Sequence, residues 1–557
     1  MFSVQIENCA SSITSKMALG LSHEETLKRY LYTCSYYGAF ITGNPDKHFG
    51  NSTGRLTFRW AKTAPEEFVK IITTVSEDAL LVRRSNFFYL LAEGLLDKEV
   101  PSELKAEIKK LVFKLIKTDQ DFFDFIKFYT TLRTNKPKIS TTLRKMIIKF
   151  YQNKEPKEFA ETVARQESYH GWTHKDLIKL THFKCNNVAC EPIMKYVLYG
   201  IDQLPEGSDE TSKSIIEYLK KSHELRTTED VAKATSLIKE LHVTVDRVNS
   251  KLNKTEEVWL AAIPEMTTRE VLQCLYRFYK FGFFKAGSQF QAKICEALSD
   301  AEKIKKCNLH PVEVFIYLKF FEKGGKTMDP KLLEYLQKKE IREETLKRLT
   351  TPSEPKCKPV FQSINKCLKL SYDNVQPTGK RYMVTIDVTE KTETVCFHNK
   401  RIPCLEAAVA IIRFLSKVER NVTVAVFKDS QINFVDISKS HSAVDKLFEH
   451  KSAYISPSAP LDWARNKKKQ IDVFINFMSS NWQANVPPEI KEKMEKVTEA
   501  LSKYSKKMQS PETRLVKIYL DGAGGAFGEN TKNILSIAGF SVDVPKVLEA
   551  FCRGRFC

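Results

Sequence analysis

Between Arg165 and Lys184 the chain reads RQESYHGWTHKDLIKLTHFK, a dense run of cationic, imidazole and aromatic side chains. Thr173 followed three residues later by Asp176 is a capping-box pattern, so a helix begins there. At about 100° per residue Lys175, Lys179 and His182 share one face, with Leu177 and Leu180 opposite, toward a core. His174 directly follows the cap, and Tyr169, His170 and Trp172 crowd the loop before it. A cationic helix face beside exposed rings suits phosphates and unstacked bases. On residue types alone the commoner case is an ordinary solvated helix whose Trp172 packs against a neighbour.

The basic character extends upstream. From Arg133 to Lys184 there are 12 Lys or Arg against 5 Asp or Glu. On a helix opened by Ser140, Lys145 and Lys149 share a face, Arg144 flanks it, and Leu143, Ile147, Phe150 and Tyr151 form the apolar stripe. Two successive basic faces make a polyanion-binding surface more credible than one. Such a surface binds with sequence-independent affinity and a steep salt dependence.

Other candidate chemistry is weaker. His170, His174, His182, Cys185 and Cys190 lie close in sequence, but their spacing fits no standard zinc pattern, and zinc is not expected. Asp387, Thr389 and Glu390 follow a strand-like run, where ligands gather in open parallel sheets, but Lys391 would repel a cation. The glycine-rich DGAGGAFG (521–528) lacks the P-loop Lys-Ser/Thr and reads as a flexible turn. No nucleophile-and-base set and no GxSxG is present, so an enzyme is the weakest class.

The elements that position these residues fall into two regimes. The chain has 557 residues, 42% hydrophobic and 28% charged, with a net charge of +20: a folded, multidomain chain suited to a polyanionic partner. Residues 1–21 read as a loose tail. From 22 to about 360, capped apolar stripes recur with short connections: Thr63 opens APEEFVKIITTV, Ser85 opens NFFYLLAEGLL, and Thr118 with Asp121 opens DFFDFIKFYTTL. No convincing strand interrupts them, so an irregular HEAT-like helical array is expected. TPSEPKCKP (351–359) reads as a linker. From 361 to 557 strand and helix alternate: RYMVTIDV, NVTVAVF, IDVFINFM and RLVKIYL as strands, with EAAVAIIRFLSKV, HSAVDKLFEH, PEIKEKMEKVTEALSKY and VPKVLEAF as helices. That pattern predicts a parallel sheet with helices on both faces. No secretory signal or membrane-spanning run is recognised, and 13 unpatterned cysteines suit a reducing compartment.

LRKMIIKFY (143–151), GWTHKDLIKLTHFK (171–184), VWLAAIPEM (258–266), LHPVEVFIYL (309–318) and PTGKRYMVTIDV (377–388) occur in this order, and together they resemble the Ro ribonucleoprotein family. The resemblance runs from about residue 22 to the end and fits a divergent, nematode-like member. It implies a TROVE domain, a ring of irregular helical repeats, followed by a von Willebrand factor A-like domain. It further implies binding of small Y RNAs and of misfolded small RNAs such as defective 5S ribosomal RNA precursors, in RNA quality control and without catalysis. The family's Y RNA surface uses positions matched here by Arg165 and His182, while one basic position is Tyr169 here. The family's metal motif is eroded: DxSxS reads Asp387-Val388-Thr389-Glu390-Lys391, and the later Thr and Asp fall near Ile455 and Ser479. That site is therefore expected to be empty, with no cofactor and no Mg²⁺, and with Lys391 in place of the cation's charge.

The expected function is that of a non-enzymatic RNA-binding protein, with Arg144, Lys145, Lys149, Arg165, Tyr169, His174, Lys175, Lys179 and His182 on the RNA surface. The expected partners are small non-coding RNA and RNA-processing proteins, with no membrane and a monomer within the ribonucleoprotein. The expected compartment is the cytoplasm, with the nucleus second. The alternative is a helical protein-binding scaffold, which would need apolar or acidic grooves in place of a basic rim.

Overall fold

The computed structural model describes residues 21–35, 38–43, 57–133, 139–165, 167–323, 357–389, 394–436, 447, 450–526, 528 and 530–556. The expected tail up to residue 20, the linker up to 356, Glu390, Lys391 and most of the helix expected at 441–450 lie outside them. The described chain forms two compact units. One comprises Met1–Asn86, Asn308–Lys356 and Leu368–Cys557; the other comprises Phe87–Cys307 and Cys357–Cys367.

The chain enters the first unit through helix α1 (His23–Thr33) and a two-residue strand β1 (Phe40–Ile41). Ser22 and Glu25 make the capping box of α1. The helix expected to open at Thr63 departs from expectation: it runs Pro65–Ser76 with Ala64 at the cap. Thr63 instead donates its hydroxyl to the Trp60 carbonyl at 2.8 Å.

The second unit is helical. The elements that matter for the site are α2 (Asp119–Leu132), α3 (Thr141–Gln152), α4 (Pro156–Ala164), the hairpin β2 (Ser168–Tyr169) and β3 (Trp172–Thr173), α5 (His174–Thr181), α6 (Glu191–Tyr199) and α7 (Glu210–Thr227). Their starts follow the sequence: Thr118 with Asp121 boxes α2, and the Ser140 hydroxyl accepts the Leu143 amide at the start of α3. The core is aromatic, with Phe122 stacked on Phe150 at a centroid distance of 3.6 Å and Tyr151 edge-on to Phe122. The hairpin corrects the expectation of an all-helical first half. His170 and Gly171 at its tip have φ of 52° and 79°, the pair of positive values that a two-residue primed turn demands.

The chain then returns to the first unit through α8 (Pro311–Glu322). Strand β4 (Arg381–Ile386), a small ribbon of β5 (Val395–Cys396) and β6 (Asn399–Pro403), and helix α9 (Cys404–Val418) follow. After them come β7 (Asn421–Lys428), β8 (Gln431–Phe434), β9 (Val473–Met478), β10 (Arg514–Tyr519), β11 (Ile534–Ala538) and a last helix α10 (Val544–Cys552). The sheet order is β1-β11-β10-β9-β4-β7-β8, parallel throughout except for the antiparallel edge strand β8. Both faces are covered, and β4, β9, β10 and β11 are buried almost end to end, as parallel strands require. The expected helix over PEIKEKMEKVTEALSKY splits into Pro488–Lys493 and Val497–Met508. Only the second piece has a buried stripe (Val497, Ala500, Leu501, Tyr504), so nothing holds the first on the same axis. β1 adds to the far edge by pairing Phe40 with Ile537 and Ile41 with Ala538. The buried Arg29 of α1 fixes this corner, donating to the carbonyls of Gly38 at 2.8 Å and Ile534 at 2.6 Å.

Candidate nucleic-acid interface

Helix α5 is built as its sequence dictates. The Thr173 hydroxyl accepts the Asp176 amide at 3.2 Å, and the Asp176 carboxylate accepts the Thr173 amide at 2.9 Å. At the other end His182 sits at φ 50°, ψ 42°, a left-handed cap whose amide donates back to Ile178 and Lys179. The buried stripe is His174, Leu177, Ile178 and Thr181. Lys175, Lys179 and His182 occupy the exposed face, as the periodicity predicts. Thr173→Ala removes the hydroxyl half of the box. It is expected to lower stability by about 1 kcal/mol, read as a shifted denaturant midpoint at unchanged slope.

Two expectations for this helix are corrected. Leu180 is 50% exposed and does not enter the core. It lies at the edge of a stripe centred on His174, which Leu177 and Ile178 flank. His174 itself is 5% exposed, so it is removed from the proposed RNA surface. Its ring stands edge-on to Phe123 and Tyr151, and its Nδ1 lies 2.9 Å from the Tyr151 hydroxyl. Burial holds its pKa down to about 4, and Lys154 and Arg165 push the same way. Asp119, whose carboxylate is 3.9 Å from Nε2, pulls upward and loses. His174 is a neutral core imidazole.

The two basic helices meet at the C-terminal end of α5. Arg144 of α3 donates from Nε to the carbonyl of Thr181, the residue just before His182, at 3.1 Å. Arg144, Lys145, Lys149 and Arg165 are exposed. Lys149 lies over the Phe113 ring at 5.1 Å. Among the described residues Lys145, Lys175, Lys179 and Lys184 form no ion pair, whereas elsewhere in the unit Lys195, Lys221, Lys233, Lys251 and Lys293 are paired with glutamates. The aromatics of the hairpin are less free. Tyr169 stacks on Phe123 at 4.8 Å and bonds Glu167, and His170 bonds Asp124 at 2.6 Å.

A groove of about 780 Å³ runs from this face toward α6. Lys179, His182 and Lys184 line it together with Ile178, Asn186 and Asn187. The asparagine pair was invisible to periodicity because it follows the helix cap. Its one sequence signal is two adjacent amides just beyond a basic helix. The arrangement combines uncompensated cations, amide donors and acceptors, and an apolar floor, which is what an unpaired nucleotide strand takes. Burial and a Cys185 contact push the neighbouring Cys190 thiol up to about 12.

In the sheet unit Asp387 follows β4 and is 1% exposed. Its oxygens accept the Thr389 amide at 2.9 Å and the Ser479 amide at 3.1 Å. Ser479 in turn donates its hydroxyl to Asp521 at 2.7 Å, and the Ser480 amide donates to the other Asp521 oxygen at 2.6 Å. Asp521 opens the glycine run that reads as a flexible turn, yet it is part of this network. A Cβ on Gly522 would come within 2.7 Å of the Ser480 hydroxyl oxygen, so the glycine has a packing reason. Burial raises the Asp387 pKa, and Asp521 raises it further, against the amides that stabilise the anion. All four carboxylate oxygens already have donors, and the enclosed space is about 10 Å³, room for roughly one water.

Two family models match the chain. Residues 104–353 match the TROVE domain, and residues 381–552 match the Ro60 vWA domain. The chain is 21% identical over 421 residues to the RNA-binding protein RO60 of Deinococcus radiodurans, covering 74% of this chain and 72% of that protein. It is 19% identical over 500 residues to the RNA-binding protein RO60 of Caenorhabditis elegans, covering 80% and 72%. The crystal structure of the Deinococcus radiodurans RO (RSR) protein matches with a TM-score of 0.76 at 16% identity, over 96% of this chain and 100% of that one. That likeness establishes the fold.

Proposed function

The chain belongs to the Ro ribonucleoprotein family, and from that premise we propose that it binds small structured RNA on the face built by α3 and α5. The observation that carries this reading is the cluster of unpaired lysines beside His182 and its groove. Lys145, Lys149, Arg165, Lys175 and Lys179, with Arg144 at the helix end, contact phosphates and position the RNA. The groove takes unpaired nucleotides. The RNAs in view are small non-coding Y RNAs and misfolded small RNAs such as defective 5S ribosomal RNA precursors. The role is stabilisation and quality control by binding, not catalysis, with RNA-processing proteins as further partners. Free thiols among the described residues suit the cytoplasm.

The test is a titration of the full-length protein with a stem-loop RNA carrying a single-stranded 3′ tail, at several salt concentrations. Tight binding that weakens steeply with salt is expected. Absence of binding at physiological salt would put the protein-scaffold alternative in front.

The A-like domain in this reading works without a divalent cation, a reading supported by the saturated carboxylates of Asp387 and Asp521. Added Mg²⁺, against a monovalent salt of equal ionic strength, is therefore expected to leave the melting temperature of the full-length protein unchanged. A ligand at 100 times its Kd stabilises by about 2.7 kcal/mol, so a saturating rise at low millimolar Mg²⁺ would sink the idea.

A further inference from the structure

The end of the sheet where β4, β9 and β10 begin is rich in lysine. Residues 465–472 lead into β9, and residues 503–509 close the helix Val497–Met508. Together the two segments hold seven Lys or Arg against one Asp. The buried Tyr504 joins them. Its hydroxyl donates to the Lys469 carbonyl at 2.8 Å and accepts the Ile471 amide at 2.7 Å. Lys507 stands one turn beyond Tyr504 on the same helix, with Lys506 beside it.

The acids at this corner are already taken. Asp472 accepts the Arg381 guanidinium at 2.6 and 3.0 Å, Asp462 pairs with Arg465 at 2.8 Å, and Glu495 pairs with Lys503 at 2.5 Å. Lys467, Lys468, Lys469, Lys506 and Lys507 are exposed and form no ion pair among the described residues. Elsewhere in the same unit Lys28, Lys319 and Lys532 are paired with glutamates. Two helices end here, and their C-termini favour nearby cations, which offsets part of the repulsion among five ammonium groups. A polyanion relieves the rest and releases its own condensed counterions in exchange.

The chemistry of the patch selects the polyanion. The exposed large apolar side chains among the described residues are Leu180, Val188, Tyr199, Val395 and Phe434, none of them in these segments. The patch therefore offers no exposed ring on which an unpaired base would stack and no apolar wedge for a lipid surface. Lysines alone contact phosphates, and base-paired RNA presents its phosphates while hiding its bases.

We propose that Lys467, Lys468, Lys469, Lys506 and Lys507 form a second RNA surface, which holds the phosphate backbone of a double-helical stem without reading its sequence. The assignment rests on the RNA-binding reading above and adds a surface for paired RNA to one for unpaired nucleotides.

The test is a titration of the full-length protein with a blunt RNA duplex of about 16 base pairs, free of single strands, at several salt concentrations. One variant carries Lys467→Gln, Lys468→Asn, Lys469→Gln, Lys506→Gln and Lys507→Gln. Asparagine is used for Lys468 because its φ is 51°. The 467–469 and 506–507 halves are also made separately, so that losses are read in proteins that keep the wild-type melting temperature. A charge-matched control carries Lys195→Gln, Lys221→Gln, Lys233→Gln, Lys251→Gln and Lys293→Gln, all at glutamate-paired lysines. Duplex binding weakened about tenfold or more, with a salt slope lower by about two or more, in the patch variant and not in the control supports the proposal. Duplex binding that persists when the tailed stem-loop fails to bind would fault the α3 and α5 reading and leave this one standing. No saturable duplex binding by wild type would overturn the proposal. So would equal losses in patch variant and control, loss of duplex binding on removing Lys175 and Lys179 instead, or binding to phosphatidylserine vesicles in place of duplex.

Discussion

Replacing Lys175 and Lys179 by alanine and His182 by glycine lowers RNA affinity about a hundredfold at physiological salt, without loss of stability. Each ammonium that neutralises a phosphate contributes roughly one to the salt slope, so the slope falls by about two. A loss of about 1.4 kcal/mol per lysine is tenfold each. The substitutions are chosen for the fold: alanine favours the exposed helix, and glycine suits a cap residue with φ of 50°. Lys221→Ala is the control. That lysine is already paired with Glu217 and Glu240, so removing it leaves RNA affinity nearly unchanged. Equal losses in both variants would mean that binding follows total charge and that no local surface exists. An unaffected triple variant would move the RNA elsewhere on the protein.

A variant His174→Phe flattens the acid dependence of stability. The imidazole has a pKa of 6.5 when unfolded and about 4 when folded, held down by burial. Between those values the unfolded chain binds a proton that the folded chain refuses, so stability is full above pH 6.5 and is lost as pH falls toward 4. At 1.36 kcal/mol per pH unit the loss is about 3 kcal/mol. The phenylalanine ring fills the space between Phe123 and Tyr151 but leaves the Tyr151 hydroxyl without its partner. The comparison is therefore the difference between pH 7 and pH 4.5 within each protein, from denaturant midpoints, and not the absolute stability. A wild-type acid slope that survives the substitution would show that His174 is not the proton acceptor.

His174 also shows where sequence reasoning stops. Its phase on α5 places it between Leu177 and Ile178, so its burial was legible, and only its residue type suggested a ligand role. The capping boxes at Thr118 and Thr173, the basic face of Lys175 and Lys179, and the four main parallel strands follow from local rules, because caps and periodicity are properties of a few consecutive residues. What escaped depends on distant partners. β11 is a five-residue run broken by Ser536, and it becomes a buried strand only because β10 lies beside it. Asp521 looked like the start of a loose turn until Ser479 and Ser480 came within hydrogen-bond reach. The groove beyond His182 needs α6 as its far wall, and no pattern within α5 announces that.

The pairing of β1 with β11 has a consequence for biosynthesis. When Phe40 and Ile41 leave the ribosome, the residues they will pair with lie roughly 500 positions ahead, about 25 to 100 seconds of elongation. Until then their apolar side chains and unpaired amides are a nascent-chain liability, one that chaperones must cover. Among the first residues of the described structure to emerge, they are among the last to be satisfied, so a chain stalled before Ala538 carries an unfinished sheet whatever its helical unit has achieved.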